Sequence, residues 1–175
     1  MKELLKKIIL LFSLSSFKLA LFFTAQKKIV FIDIDNTVSA TSGYLISNGK
    51  IRNMNDYMKI DRLNGTFKFL EENFKKTHRY IFLSHRRILS FNVTRKWLKK
   101  QSLWGNDSKL YLVSNPLHKI YFFKTSISNS KDITIIDDLS FNHENGEILY
   151  YNEVINFINK NNIKYYDYSF IKSLN

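Results

Sequence analysis

Short apolar runs alternate with longer segments of helical spacing along most of this chain, and this order constrains the fold more than any other feature. The predicted strands are Ile29–Ile34, Tyr80–Leu83, Lys109–Val113 and Ile133–Ile136, and the predicted helices are Leu63–Lys76, Ile88–Gln101, Leu117–Ser126 and Glu153–Asn159. Strands separated by helices form a parallel sheet with right-handed crossovers. We therefore expect an α/β fold, a Rossmann-like parallel sheet with helices on both faces. The aromatic tail 163–174 is not assigned to either type.

Three of the predicted strands end in residues that are capable of chemistry. The first ends at Asp33, the second at Ser84 and the fourth at Asp137. In open parallel sheets, ligands bind beyond the carboxyl ends of the strands. We therefore expect these side chains to meet in one site.

The first strand leads into Asp33-Ile34-Asp35-Asn36-Thr37, with two carboxylates two residues apart. A carboxylate such as Asp33 can attack phosphorus and form an aspartyl-phosphate. A second acid, Asp35, can protonate the leaving alkoxide and then activate water. Thr37 can lock the loop by hydrogen bonding or contact the substrate. The simpler alternative is a turn with solvated acids, since Asp and Asn favour turns.

The second strand is followed by His85 and Arg86. The Ser84 hydroxyl can hold a phosphate oxygen, and Arg86 can add charge-assisted hydrogen bonds. His85 is a candidate substrate contact or a loop residue with no role. Serine at a strand end is common, so this motif is weak by itself.

A lysine is the next requirement, because an anionic nucleophile approaching a phosphate needs a cation beside it. Lys119 follows Asn115-Pro116 at a predicted helix start, where the helix dipole also favours anions. Lys124, one turn further along, is the competing candidate. We rank Lys119 first.

The fourth strand ends in the adjacent acids Asp137 and Asp138. Mg²⁺ is a hard ion that takes oxygen ligands, and adjacent carboxylates at a strand end suit it. A bound Mg²⁺ would screen the nucleophile from the phosphate and stabilise transition-state charge. The alternative is a structural turn.

Composition narrows the function classes. The chain has 175 residues and no cysteine, which excludes disulfides, thiolate metal sites and cysteine nucleophiles. It is compatible with a cytoplasmic location, which we expect. The net charge of +12 favours phosphate-bearing partners such as nucleic acid, anionic lipid or a phosphate ester. An AT-rich coding sequence would produce the same Lys-, Asn- and Ile-rich mixture without selection for a basic face.

Residues 1–27 differ from residues 28–175, which we assign to the α/β domain. The run Ile8–Phe23 is nearly all apolar and is flanked by lysines on both sides. A signal peptide would show a clearer cleavage pattern, and a membrane span needs about 20 apolar residues, whereas Lys18 interrupts this run. We expect a basic apolar helix that either lies on the inner face of the membrane or packs against the domain.

In this order, the four motifs resemble the haloacid dehalogenase (HAD) superfamily of phosphohydrolases. Its first motif, D-x-D-x-T after an apolar strand, is matched by Asp33, Asp35 and Thr37. Ser84 matches the Ser or Thr of its second motif, and Lys119 matches the Lys of its third. The pair Asp137-Asp138 matches its fourth motif, an acidic pair after a strand. The resemblance implies Mg²⁺-dependent phosphoryl transfer with Asp33 as the nucleophile and Asp35 as the acid and base. It also implies that the metal is held by Asp33, the backbone carbonyl of Asp35, and Asp137 or Asp138.

The same resemblance implies a site with little or no cap domain. The insert at about 39–60 is too small for a helical-bundle cap, and no room for a second cap exists between Lys119 and Asp137. An open site of this family suits large substrates or relies on a partner to close it.

A narrower similarity is to the phosphatase domain of polynucleotide kinase-phosphatases. There a Ser/Thr-Gly-Arg loop precedes a Thr-x-x-Trp-Leu helix, and here Ser84-His85-Arg86 precedes Thr94, Trp97 and Leu98. The glycine of that pattern is His85 in this chain. We interpret Trp97 and Leu98 as core residues.

Three functions remain from the sequence. The first is a phosphomonoesterase that acts on a sugar, polyol, lipid-linked or other metabolite phosphate. The second is a nucleic-acid 3′-phosphatase, for which steep salt dependence of binding would be diagnostic. The third is an inactive HAD-like binding module, which has no chemical need for Asp33, Asp35 and the acidic pair together.

Overall fold

The computed structural model describes residues 2–24, 27–129 and 131–175. It is an α/β protein built on a five-stranded parallel sheet with helices on both faces, which confirms the predicted Rossmann-like architecture. Met1, Ala25 and Gln26 of the predicted segment 1–27 lie outside the described residues.

Seven strands occur in the described residues: β1 (Lys28–Ile32), β2 (Arg79–Ser84), β3 (Lys109–Leu112), β4 (Asp132–Ile136), β5 (Ser140–Phe141), β6 (Leu149–Tyr150) and β7 (Lys164–Tyr166). The sheet has the order β3-β2-β1-β4-β7, with every neighbouring pair parallel. β5 and β6 form a separate antiparallel hairpin. The chain crosses to the far side of β1 after β3, so the order of the strands reverses between β1 and β4.

The apolar runs form strands because both sides of each strand are covered. In β1, Ile29 and Phe31 point into one core, and Val30 and Ile32 point into the other. A strand buried on both faces has no polar alternation, and this is why the runs read as continuous in the sequence.

The described helices are α1 (Lys2–Phe22), α2 (Thr41–Asn48), α3 (Asn64–Asn73), α4 (Phe91–Lys100), α5 (Lys119–Ser128), α6 (Asn152–Lys160) and α7 (Tyr168–Leu174). Buried residues of α1, α5 and α6 fill one core, and those of α3, α4 and α7 fill the other. Trp97 and Leu98 are buried in the second core, and the indole of Trp97 donates to the Ile60 carbonyl at 2.8 Å. Their interpretation as core residues is confirmed.

The predicted strands and helices are all present, with boundaries that shift by a few residues. Two helices begin with a short 3-10 turn, Ile88–Ser90 before α4 and Pro116–His118 before α5. The sequence did not predict β7, the β5–β6 hairpin or α2. β7 has three residues, and each hairpin strand has two, so none of these strands is long enough to show a periodic pattern of apolar residues.

The N-terminal helix packs on the domain along one face only. Phe17 and Leu21 of α1 are buried in the first core, whereas the side chains of the opposite face are exposed. Within the described residues, no helix combines the length and the apolar character that a membrane crossing requires.

The insert between the first and second motifs is small, as predicted. It forms α2 and a 3-10 turn at Met54–Lys59. Asn53 and Asp56 close the start of that turn with reciprocal hydrogen bonds, which form a capping box.

Candidate active site

The candidate site lies at the carboxyl ends of β1, β2 and β4, where the strand order reverses. Such a switch point is where open parallel sheets bind ligands. The register pairs Ile32 with Ile136, and the Asp33 N–H continues the ladder by donating to the Ile136 carbonyl at 2.9 Å. Asp33 and Asp137 therefore leave the sheet side by side.

A buried acidic cluster occupies this position. Asp33, Asp137 and Asp138 are each nearly inaccessible, and one oxygen from each lies within 4.8 Å of the others. The Lys119 ammonium donates to Asp33 Oδ1 at 2.7 Å and to Asp137 Oδ2 at 2.6 Å. The structure thus brings together the acids of the first and fourth motifs and the lysine of the third.

Lys119 is the lysine of the site. It is the first residue of α5, and the preceding turn is capped by the Asn115 side chain, which accepts from the Leu117 N–H at 2.9 Å. Lys124 is exposed and lies over the Phe157 ring at 5.6 Å. One turn of helix therefore separates a lysine that contacts the acids from one on the surface.

The cluster has more acids than its lysine can balance. Burial raises the pKa of Asp33 well above its usual range; Lys119 counteracts this in part, and the nearby carboxylates add to it. Burial likewise raises the pKa of Asp137 against the opposing charge of Lys119. Burial disfavours the charge of Lys119, but the two carboxylates outweigh it and hold the lysine pKa above its usual range. An added cation at this position would favour ionised carboxylates.

The loop after β4 fixes the orientation of the two adjacent acids. Leu139 has a φ of +43°, an uncommon value for a leucine, and its N–H donates to Asp137 Oδ1 at 3.0 Å. Ser140 donates to Asp138 Oδ2 at 2.9 Å, and His143 Nε2 lies 3.3 Å from the same oxygen. Sequence reasoning missed Ser140 and His143, for which closeness to the acidic pair was the only available signal.

Thr37 connects the first motif to the fourth. Its side chain is fully buried, and its hydroxyl accepts from the Asp138 N–H at 3.1 Å. The predicted role of locking the loop fits this geometry. Thr37 is not among the residues that line the cavity at the strand ends, and its predicted substrate contact stays a prediction.

Asp35 lines the same cavity as the acidic cluster, but its side chain is bound by Arg86. The guanidinium donates from Nε to Asp35 Oδ2 at 2.7 Å and from Nη2 to Oδ1 at 2.5 Å. Burial alone would raise the pKa of Asp35, but the charge and hydrogen bonds of Arg86 outweigh it and lower that pKa. Thr41 adds a third hydrogen bond, donating to Oδ1 at 2.6 Å. The Asp35 side chain is therefore absent from the group of carboxylates that could hold a metal ion, and the predicted role of its backbone carbonyl stays a prediction.

Arg86 is itself held in place. It donates to the Thr94 hydroxyl at 3.2 Å, and its guanidinium lies 4.8 Å from the centre of the Tyr57 ring. Thr94 is the threonine of the Thr-x-x-Trp-Leu pattern, so this element of the sequence supports the arginine. Tyr57 and Thr41 come from the insert and were not predicted as site residues.

Ser84 presents an unpaired hydroxyl to the site. It is buried at the end of β2, and its Oγ has no hydrogen-bond partner among the described residues. With Asp33, Asp35 and Lys119 it lines a cavity of about 190 Å³. A buried polar atom without a partner costs about 1–3 kcal/mol, which a bound oxygen would offset.

His85 lies at the junction between this cavity and a larger one of about 840 Å³. Partial burial, together with the positive charge of Lys119, lowers its pKa. The neutral form of His85 is therefore favoured, and this form suits a hydrogen-bonding contact.

The donor set fits a divalent cation of the magnesium type. Asp33, Asp137 and Asp138 supply carboxylate oxygens, the ligands that hard cations prefer, and soft ligands are missing from the group. The cluster alone does not distinguish Mg²⁺ from similar cations.

Fold and site together define an α/β protein with a buried acidic cluster and one lysine at its strand ends. No model of a known protein family matches the chain. No curated protein matches it either.

Proposed function

We propose that the protein is a Mg²⁺-dependent phosphomonoesterase of the HAD type that forms an aspartyl-phosphate on Asp33. The observation that supports this most strongly is the contact of Lys119 with both Asp33 and Asp137, beside Asp138. A solvated turn does not need a buried ammonium between two acids. The insert, with one helix and one short turn, agrees with a site of the minimal-cap type.

In the first step, an oxygen of Asp33 attacks the phosphorus of the ester, and the bond from phosphorus to the leaving oxygen breaks. Asp35 donates a proton to that oxygen, so the alcohol leaves neutral. Lys119 offsets the negative charge of nucleophile and phosphoryl group, and the Ser84 hydroxyl donates to a phosphoryl oxygen. Arg86 must release Asp35 for this step, and the phosphate of the substrate is an anion that can compete for the guanidinium.

In the second step, Asp35 accepts a proton from water, and the water oxygen attacks the phosphorus of the aspartyl-phosphate. The bond between Asp33 and phosphorus breaks, which returns the carboxylate and releases inorganic phosphate. Mg²⁺, held by Asp33, Asp137 and Asp138, would supply a positive charge that stabilises the phosphoryl group in both transition states.

In this proposal the substrate is a metabolite phosphate, whose alcohol can be a sugar, a polyol, a lipid-linked group or another metabolite. A nucleic-acid 3′-phosphatase is the alternative that the net charge of +12 favours. A binding module without catalysis would explain the fold but not the Lys119 contacts.

The test is hydrolysis of an aryl phosphate by purified protein with Mg²⁺. Asp33→Asn should abolish it, because an amide cannot form the phosphoenzyme. The matched control is Asp132→Asn, which changes an exposed acid at the opposite end of β4. Full activity in Asp33→Asn, or an inert wild type on a panel of sugar phosphates, nucleotides and 3′-phosphorylated DNA, would refute the proposal.

A further inference from the structure

A large groove lies beside the candidate site, against the N-terminal half of α1. Its volume is about 840 Å³, which is near the upper end of ordinary small-ligand sites, about 300–1,000 Å³. Asp35, Thr41 and His85 line both this groove and the cavity of the candidate site, and Arg86 also lines the groove. The groove is therefore continuous with the place where the phosphate would sit.

The rest of the groove is walled mainly by aliphatic side chains. They come from α1, the insert, the turn after β2 and the end of β3: Ile9, Leu10, Ile51, Ile88, Leu89, Leu112 and Val113. Leu89 is 81% exposed and Ile88 is 40% exposed. Exposed aliphatic residues that gather along one groove mark a binding surface for an apolar group.

We propose that the substrate of this site is an amphiphile, a phosphate monoester whose alcohol carries a long apolar chain that lies in this groove. This inference rests on the proposed phosphatase function and names its substrate class. A sugar or polyol phosphate would leave the aliphatic walls in water. A nucleic-acid strand needs stacking platforms along its path, and among the described lining residues Tyr57 is the only Phe, Tyr or Trp.

The outer face of α1 supports the same substrate class. Exposed apolar side chains lie three or four residues apart near both ends of the helix, and one more follows it directly: Leu4, Leu5, Ile8, Leu11, Phe12, Leu19 and Phe22, then Phe23. Lys6, Lys7 and Lys18 are exposed between this face and the packed face. A helix with an apolar face and flanking lysines lies in the interface of a bilayer with anionic headgroups. We therefore assign an anionic bilayer surface as the partner that binds the outer face of α1. An amphiphilic substrate would reside in the same bilayer.

The test of the groove compares ethyl phosphate with decyl phosphate, both as monomers in solution. Each fully buried methylene favours binding by about four-fold, so kcat/KM for the decyl ester should be higher by about 100-fold even if fewer than half of its extra methylenes are buried. Ile88→Ser and Leu89→Ser should each lower this ratio by about ten-fold. Ile127→Ser, at a residue with 39% exposure on α5, is the matched control and should keep the ratio.

The outcomes distinguish a failure of the amphiphile inference from a failure of the proposed phosphatase function. Equal kcat/KM for both esters would overturn the amphiphile inference and leave the phosphatase function intact. If neither ester is hydrolysed, the phosphatase function fails, and calorimetry with methylphosphonate and decylphosphonate then tests the groove alone. Equal dissociation constants for these two probes would overturn the inference.

Vesicle flotation tests the outer face of α1 with the full chain. The wild type should float with vesicles that contain phosphatidylglycerol and not with pure phosphatidylcholine. Phe12→Glu should abolish flotation, and Ile46→Glu, an exposed apolar residue of α2, should not. A wild type that stays unbound, or that forms a dimer that Phe12→Glu dissociates, would overturn the membrane assignment.

Discussion

Asp33 and Asp35 are two residues apart, but they lie in opposite electrostatic environments. Asp33 shares Lys119 with a second buried acid and has a third beside it, and its pKa is raised. Asp35 has Arg86 to itself in a two-point ion pair, and its pKa is lowered. The pKa values of the two carboxylates therefore differ because the ratio of cations to acids around each one differs.

This pattern is the reverse of what the proposed chemistry needs, since the nucleophile must be ionised and the acid must be protonated. Each carboxylate thus needs a ligand to reach its working state. A divalent cation would complete the charge balance at Asp33, and the substrate phosphate would draw Arg86 from Asp35. In the proposed mechanism, the site would therefore be active only when both ligands are bound.

The largest effect is expected from Lys119→Met, which removes the cation of the first environment. It should abolish phosphatase activity and lower the free energy of unfolding by about 3–5 kcal/mol, because two buried carboxylates lose their partner. Carboxyl groups with raised pKa values favour the folded protein most in acid, and this stabilisation is lost as the pH rises through those values. The destabilisation should therefore grow with pH.

Urea denaturation in a chelator at pH 5 and pH 8 measures this loss. Lys124→Met, which removes an exposed lysine from the same helix, is the control. A loss that is the same at both pH values would contradict the assignment of raised pKa values to the acidic cluster.

Arg86→Gln tests the second environment. Burial would then be opposed only by the Thr41 hydrogen bond and the charge of Lys119, so the pKa of Asp35 should rise, and the basic limb of the kcat/KM profile should move to higher pH. We also expect kcat/KM at neutral pH to fall by about 100-fold, since a charged contact to the substrate phosphate is lost. Arg95→Gln, which changes an exposed arginine on α4, should leave both unchanged. A pH profile identical to that of the wild type would rule out Asp35 as the acid.

Thr37→Val tests the hydrogen bond that holds the fourth motif against the first. The substitution keeps the shape of the side chain but leaves the buried Asp138 N–H unsatisfied, at a cost of about 1–3 kcal/mol. Affinity for Mg²⁺ should weaken along with stability, and calorimetric titration measures it. Thr125→Val on α5, away from the acidic cluster, is the control. Unchanged Mg²⁺ affinity would show that this bond does not position Asp138.

The sheet was predictable because its strands are buried on both faces and end in polar residues. The same signal placed Asp33, Ser84 and Asp137 together, since parallel strands end at one edge. The Arg86–Asp35 ion pair was not predictable, because Arg86 matched a substrate-binding pattern and its pairing depends on how the β2 loop folds back. Thr41 and Tyr57 lie in an insert with no recognisable motif, and only the tertiary structure brings them to Asp35 and Arg86.

The central place of β1 has a consequence for how the chain folds. β1 is made first, but its neighbour β4 follows more than a hundred residues later, with Lys28 paired to Asp132. Its other neighbour, β2, is made much earlier and can pair with it first. Loop closure to β4 is slow, so one edge of β1 stays unpaired until β4 has been made. The acidic cluster can assemble only when β1 and β4 have met, so the proposed metal site forms no earlier in folding than this pairing.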